Sequence, residues 1–74
     1  MVKITLGVEG MMCHHCEAHV NEDVSKAYKV ESVVSDHEAN TTVITAAQAI
    51  PEDGLRKVIE EAGYKLTSYS CEAV

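Results

Sequence analysis

Six consecutive residues concentrate the chemistry of this chain. Met11-Met12-Cys13-His14-His15-Cys16 follows Gly10 and leads into a helical pattern. Two cysteines three positions apart at a helix start can converge on one ion, because the turn folds the second sulfur back towards the first. The positive end of the helix and its free backbone N–H groups stabilise negative sulfur, which keeps thiols deprotonated near neutral pH. The same poise favours redox attack, so the pair by itself admits both metal carriage and thiol-disulfide exchange. With no further cysteine beside them, two thiolates suit a soft ion of low coordination number. Cu(I) accepts linear or trigonal sulfur, whereas structural Zn(II) takes four ligands. Cu(I) is therefore the expected ion, with Hg(II), Cd(II) and Zn(II) as alternatives. A two-sulfur site leaves coordination positions open, so an incoming thiolate can bind before the first one leaves.

The elements that position this segment are legible in the apolar spacing. Val2, Ile4, Leu6 and Val8 share one side of a period-two pattern, with Lys3, Thr5 and Glu9 on the other, which predicts a strand covering the core with one face. Gly10 ends it. A helix with Cys16, Val20, Val24 and Ala27 or Tyr28 on its apolar side follows. Val30, Val33 and Val34 predict a second strand, bulged or at an edge, since Val33 and Val34 point to opposite faces. A turn over 35–40 and a strand over 41–45 complete a hairpin. Pro51-Glu52-Asp53 opens a second helix with Leu55, Val58, Ile59 and Ala62 as its stripe and Gly63 at its end. Tyr64 to Cys71 reads as the last strand, with Tyr64 and Leu66 on one face. The order β-α-β-β-α-β predicts a split β-α-β, ferredoxin-like α+β fold, two helices on one face of a four-stranded antiparallel sheet with the first strand inside it.

Size and charge narrow the function classes. Seventy-four residues hold a single domain, read as 1–74, and the absence of Phe and Trp makes the core aliphatic. A net charge of -6 argues against nucleic acid and anionic lipid and favours docking on a basic surface. No apolar run approaches the roughly 20 residues of a bilayer span, so no direct membrane insertion is expected. The alternating amino-terminal residues do not read as a signal peptide. Three cysteines, two of them in one motif, do not resemble a secreted disulfide framework and point to a reducing, cytoplasmic setting.

Gly10-Met11-Met12-Cys13-His14-His15-Cys16 resembles the Gly-Met-x-Cys-x-x-Cys loop of heavy-metal-associated domains, found in small copper chaperones and in metal-binding domains of copper-transporting P-type ATPases. Glu61-Ala62-Gly63-Tyr64 is similar to the end of the second helix in bacterial copper chaperones. The resemblance covers nearly the whole chain and implies a ferredoxin-like fold and Cu(I) carriage. It makes Cys13 and Cys16 the ligands, Met11 the motif methionine and Tyr64 the aromatic residue of the loop that approaches the metal. Implied partners are a copper-transporting P-type ATPase or a copper-responsive regulator, or a second copy in a metal-bridged homodimer. Lys29-Val30, where many members have Gly-Val, and the added Cys71 depart from the pattern without touching the ligand pair.

The remaining candidates carry a plainer reading beside the chemical one. Met11 packs as a loop hydrophobe rather than coordinating. His15, and less so His14, is a candidate third ligand or modulator; His19 and His37 read as surface residues. Tyr64 either fills the core or shields the sulfurs. Cys71, seven residues beyond Tyr64 on an antiparallel strand, lies about 20 Å from the loop and is a poor ligand within one molecule. A thioredoxin-like oxidoreductase is disfavoured by the short chain and by Pro51, which precedes a helix and offers no cis-proline. No catalytic-base constellation stands out, so no enzymatic activity is expected.

Overall fold

In a computed structural model describing residues 1–74, the elements run β1 (Val2–Glu9), α1 (His14–Ala27), β2 (Ser32–Asp36), β3 (Thr41–Ala46), α2 (Glu52–Glu61) and β4 (Lys65–Ala73). All neighbouring strands pair antiparallel in the order β2-β3-β1-β4. The β1 alternation puts Ile4, Leu6 and Val8 in full burial, and the register sets Ile4 opposite Ile44, Leu6 opposite Thr42 and Val8 opposite Leu66. Val20 and Val24 from α1 and Leu55 and Ile59 from α2 close the same core, as the helical spacing predicts. The fold is the expected ferredoxin-like one, and its core is aliphatic.

Two buried hydroxyls interrupt that apolar layer. Ser35 donates to Asn21 Oδ1 at 2.7 Å and lies 3.0 Å from Thr42 Oγ1, so α1, β2 and β3 are pinned together by a satisfied polar chain. β2 is an unbulged edge strand, one of the two arrangements that adjacent Val33 and Val34 allow; Val34 faces solvent.

Three local details differ from the sequence expectation. First, α1 begins at His14, not Cys16, with Cys13 as its extended N-cap residue, so the second sulfur sits in the first helical turn. Second, β4 carries a bulge: Gly7 pairs with Ser68 but Val8 pairs with Leu66, leaving Thr67 as an extra residue. The bulge inverts the alternation, which is why Tyr69, not Ser68 or Ser70, follows Leu66 onto the β1 core register, opposite Leu6. The same inversion sets Cys71 opposite Ile4, at the end of β1 remote from Gly10. Third, His37 is not turn surface but is held against α1, as described below.

Candidate metal centre

Gly10 and Gly63 shape the loops on either side of the cysteine pair. Gly10 has φ +105°, and a Cβ there would lie 3.1 Å from Tyr64 Cδ1, so glycine both permits the turn out of β1 and lets the aromatic ring lie on it. At the other side, Gly63 has φ +95° and donates to the Glu60 carbonyl, while Tyr64 N–H donates to the Ile59 carbonyl, both at 3.0 Å. This pair of bonds is a Schellman closure of α2, and it delivers Tyr64 to the cysteine-bearing end of the sheet.

The two sulfurs are 4.0 Å apart and both thiols are free. The Cys13 carbonyl accepts from the Cys16 and Glu17 N–H groups at 3.1 and 3.2 Å, which winds the first turn and folds Cys16 back towards Cys13. Cys13 is exposed and Cys16 half-buried. The Met12 backbone N–H, followed by the Tyr64 hydroxyl, draws the Cys16 thiol down from 9.0 to about 7; the Cys13 side chain and backbone add to this and partial burial opposes it. Reciprocally, hydrogen bonding to Cys16 and then burial push Tyr64 up from 10.0 to about 12, so its hydroxyl stays a donor. The arrangement stabilises a thiolate at Cys16 near neutral pH.

The other candidates are placed as follows. Met11 is 3% exposed and belongs to the core cluster, consistent with a side chain that packs. His15 is exposed in the first turn of α1, and the structure does not gather it with the two sulfurs into a three-donor cluster. His19 stacks edge-on to Tyr64 with ring centroids 6.1 Å apart and pairs with Asp23. Cys71 is exposed and outside the site. A different trio escapes sequence reasoning: His14 Nδ1 is 3.1 Å from Glu17 Oε1, and His37 Nδ1 is 2.6 Å from Glu17 Oε2. The His14 to Glu17 spacing is a visible signal, but His37 arrives through the β2–β3 turn, twenty residues from Glu17.

Metal–sulfur bonds of about 2.3 Å set two sulfurs about 3.8 Å apart in tetrahedral and about 4.6 Å apart in linear coordination. The observed 4.0 Å lies between them. The pair can therefore close on a soft ion with small side-chain movements, and the number of donors rather than their present spacing selects the ion.

Comparisons with known proteins agree with this architecture. The heavy-metal-associated domain family model matches residues 5–65. The chain is 35% identical over 72 residues to a cation-transporting P-type ATPase B of Mycobacterium leprae, covering 97% of this chain and 9% of that protein. It is 29% identical over 70 residues to a copper-exporting P-type ATPase of Staphylococcus saprophyticus, covering 95% of this chain and 9% of that one. The chain thus spans about 9% of the length of these relatives. Its fold is similar to that of the CopZ metallochaperone, with a TM-score of 0.79 at 24% identity over 88% of this chain and 98% of that chain. No helix is long and apolar enough to cross a membrane.

Proposed function

The chain belongs to the heavy-metal-associated domain family, and from that premise we propose that residues 1–74 act as one domain that carries Cu(I) on Cys13 and Cys16 and passes it to a partner. The observation that carries this reading is the sulfur pair, 4.0 Å apart, with Cys13 exposed and Cys16 half-buried and held near a pKa of about 7. Two thiolates without a third donor suit Cu(I) over ions that require four ligands. Transfer is ligand exchange without change of oxidation state. A partner thiolate adds to the open position, the bond to exposed Cys13 breaks, and a second partner thiolate then displaces Cys16. The Tyr64 hydroxyl lowers the Cys16 thiol pKa and Met11 anchors the loop in the core, so the ion moves while the scaffold stays. Exposed His15 serves in this reading as a modulator of access.

The likeness to segments of transporting ATPases supports such an ATPase as partner in a cytoplasmic handover; a copper-responsive regulator and a metal-bridged second copy are the other acceptors. The small share of the relatives that the chain covers favours a second reading, in which the same module serves as a metal-binding domain of a longer transporter. Family membership supports metal carriage over thiol-disulfide catalysis.

The test is an anaerobic competition titration against a strong Cu(I) chelator. Wild type and Cys71→Ser should each take about one equivalent, and Cys13→Ser/Cys16→Ser none. A wild type that fails to compete while Hg(II), Cd(II) or Zn(II) binds tightly overturns the Cu(I) assignment. Transfer to an isolated ATPase metal-binding domain should slow with added salt, as expected for an acidic carrier meeting a basic surface; a salt-independent rate refutes that docking mode.

A further inference from the structure

Beside the sulfur pair, but on different donors, the structure gathers His14, Glu17 and His37. One atom from each lies within 4.8 Å of the others. The Glu17 carboxylate is the hub, with one oxygen 3.1 Å from His14 Nδ1 and the other 2.6 Å from His37 Nδ1. The two rings stand edge-to-face at 83°, with centroids 5.2 Å apart, so both Nδ1 atoms serve one carboxylate without stacking. The His37 backbone N–H also donates to Glu17 Oε2 at 2.7 Å, which orients the carboxylate. Glu17 and His37 are largely buried, with side chains 16% and 22% exposed, whereas His14 is 90% exposed.

We propose that His14, Glu17 and His37 form a second metal site, distinct from the sulfur pair, that takes a divalent ion of borderline hardness such as Zn(II) on two imidazole nitrogens and one carboxylate. Imidazole and carboxylate donors favour such an ion, as thiolates alone favour Cu(I). Donors on a tetrahedral Zn(II) stand about 3.3 Å apart at bonds of about 2.0–2.1 Å. The His14 contact to Glu17 Oε1 is close to that spacing, the 2.6 Å His37 contact to Oε2 opens as the ion enters, and the exposed His14 ring is free to swing and close the remaining gap. Three protein ligands leave a fourth position for water. On binding at Nδ1, the ion takes the place of the ring proton directed at Glu17; a neutral imidazole carries its proton on Nε2 instead, and an imidazolium gives one up to solvent. His14 follows Cys13 and Glu17 follows Cys16, so an ion here would tie the turn bearing both sulfurs to the β2–β3 connection.

The site is tested with Zn(II) alone on the full chain carrying Cys13→Ser, Cys16→Ser and Cys71→Ser, which removes every thiol competitor. Calorimetric titration should show about one equivalent bound, and adding His14→Ala or Glu17→Gln should weaken it at least about tenfold. His15→Ala should leave it unchanged. Because His14 is exposed, His14→Ala keeps the fold and isolates the ligand role. Imidazole resonances of His14 and His37 should move with Zn(II), and those of His15 and His19 should not. Absence of binding, affinity unaltered by His14→Ala, or shifts centred on His15 and His19 would each overturn the proposal. The thiol-free background makes the outcome independent of Cu(I) carriage, whose own failure would appear only in the chelator competition.

Discussion

Replacing Tyr64 by Phe removes one hydroxyl and leaves the ring packed over Gly10. The hydroxyl is the second-largest influence holding the Cys16 thiol near a pKa of about 7, after the Met12 N–H. Losing a hydrogen bond to a thiolate should raise that pKa by about one pH unit, which takes the deprotonated fraction at neutral pH from about one half to about one tenth. The alkylation rate of Cys16 in reduced, metal-free protein should fall about fivefold, in step with the thiolate fraction. Mass spectrometry of the alkylated peptide separates Cys16 from Cys13 and Cys71, and ultraviolet thiolate absorbance against pH gives the midpoint. The linkage has a definite sign. A thiol drawn down from 9.0 to about 7 contributes stability that is present above pH 9 and is lost as pH falls through about 7. Metal-free wild type should therefore gain stability between those values, and Tyr64→Phe should gain less. Identical titration and alkylation profiles for the two proteins would refute the assignment of Tyr64 as a donor to Cys16.

Glu17→Gln should show a different pH signature. The backbone and side chain of His37, then His14, pull Glu17 from 4.5 to about 2, and Glu17 raises His37 above 6.5. The Glu17 contribution is full above pH 4.5 and fades through about 2, whereas that of His37 is full below 6.5 and fades through its raised pKa. In denaturant melts, the advantage of wild type over Glu17→Gln should be greatest between pH 4.5 and 6.5, and a pH-independent difference refutes the pair. Gly63→Ala meets no atom within 4 Å, so its cost is backbone strain alone, about 1 kcal/mol. A neutral Gly63→Ala would contradict the Schellman closure. Ile59→Ala should cost about 2–5 kcal/mol, because the side chain is fully buried between α2 and the sheet. Chemical denaturation should show this as a lowered midpoint with unchanged slope.

The cysteine pair and its supports differ in how they are encoded. Cys13 and Cys16 announce themselves by type and spacing, and Gly10 by its place after an alternating strand. Tyr64 stands forty-eight positions after Cys16 in the numbering. Its role in the resemblance is visible only as a family pattern; its influence on the Cys16 thiol needs the α2 closure and the β1–β4 pairing to exist. The β4 bulge was hidden for a related reason. Period-two reading assumes one residue per register step, and an extra residue at Thr67 changes the parity of everything after it.

What the sequence determined by itself is whatever local spacing controls: the strand face of Ile4, Leu6 and Val8, the stripes of α1 and α2, the element order, and the convergence of two thiols one helical turn apart. These depend on backbone geometry repeated every two or 3.6 residues, so residue type and position suffice. Only the tertiary structure decided that His37 reaches Glu17, that Tyr64 lowers the Cys16 pKa, and that a bulge at Thr67 sets Tyr69 opposite Leu6 and Cys71 opposite Ile4. Each depends on a closed turn or a strand register that brings distant positions together, and hydrogen bonding acts through a few ångströms of space without regard to distance along the chain.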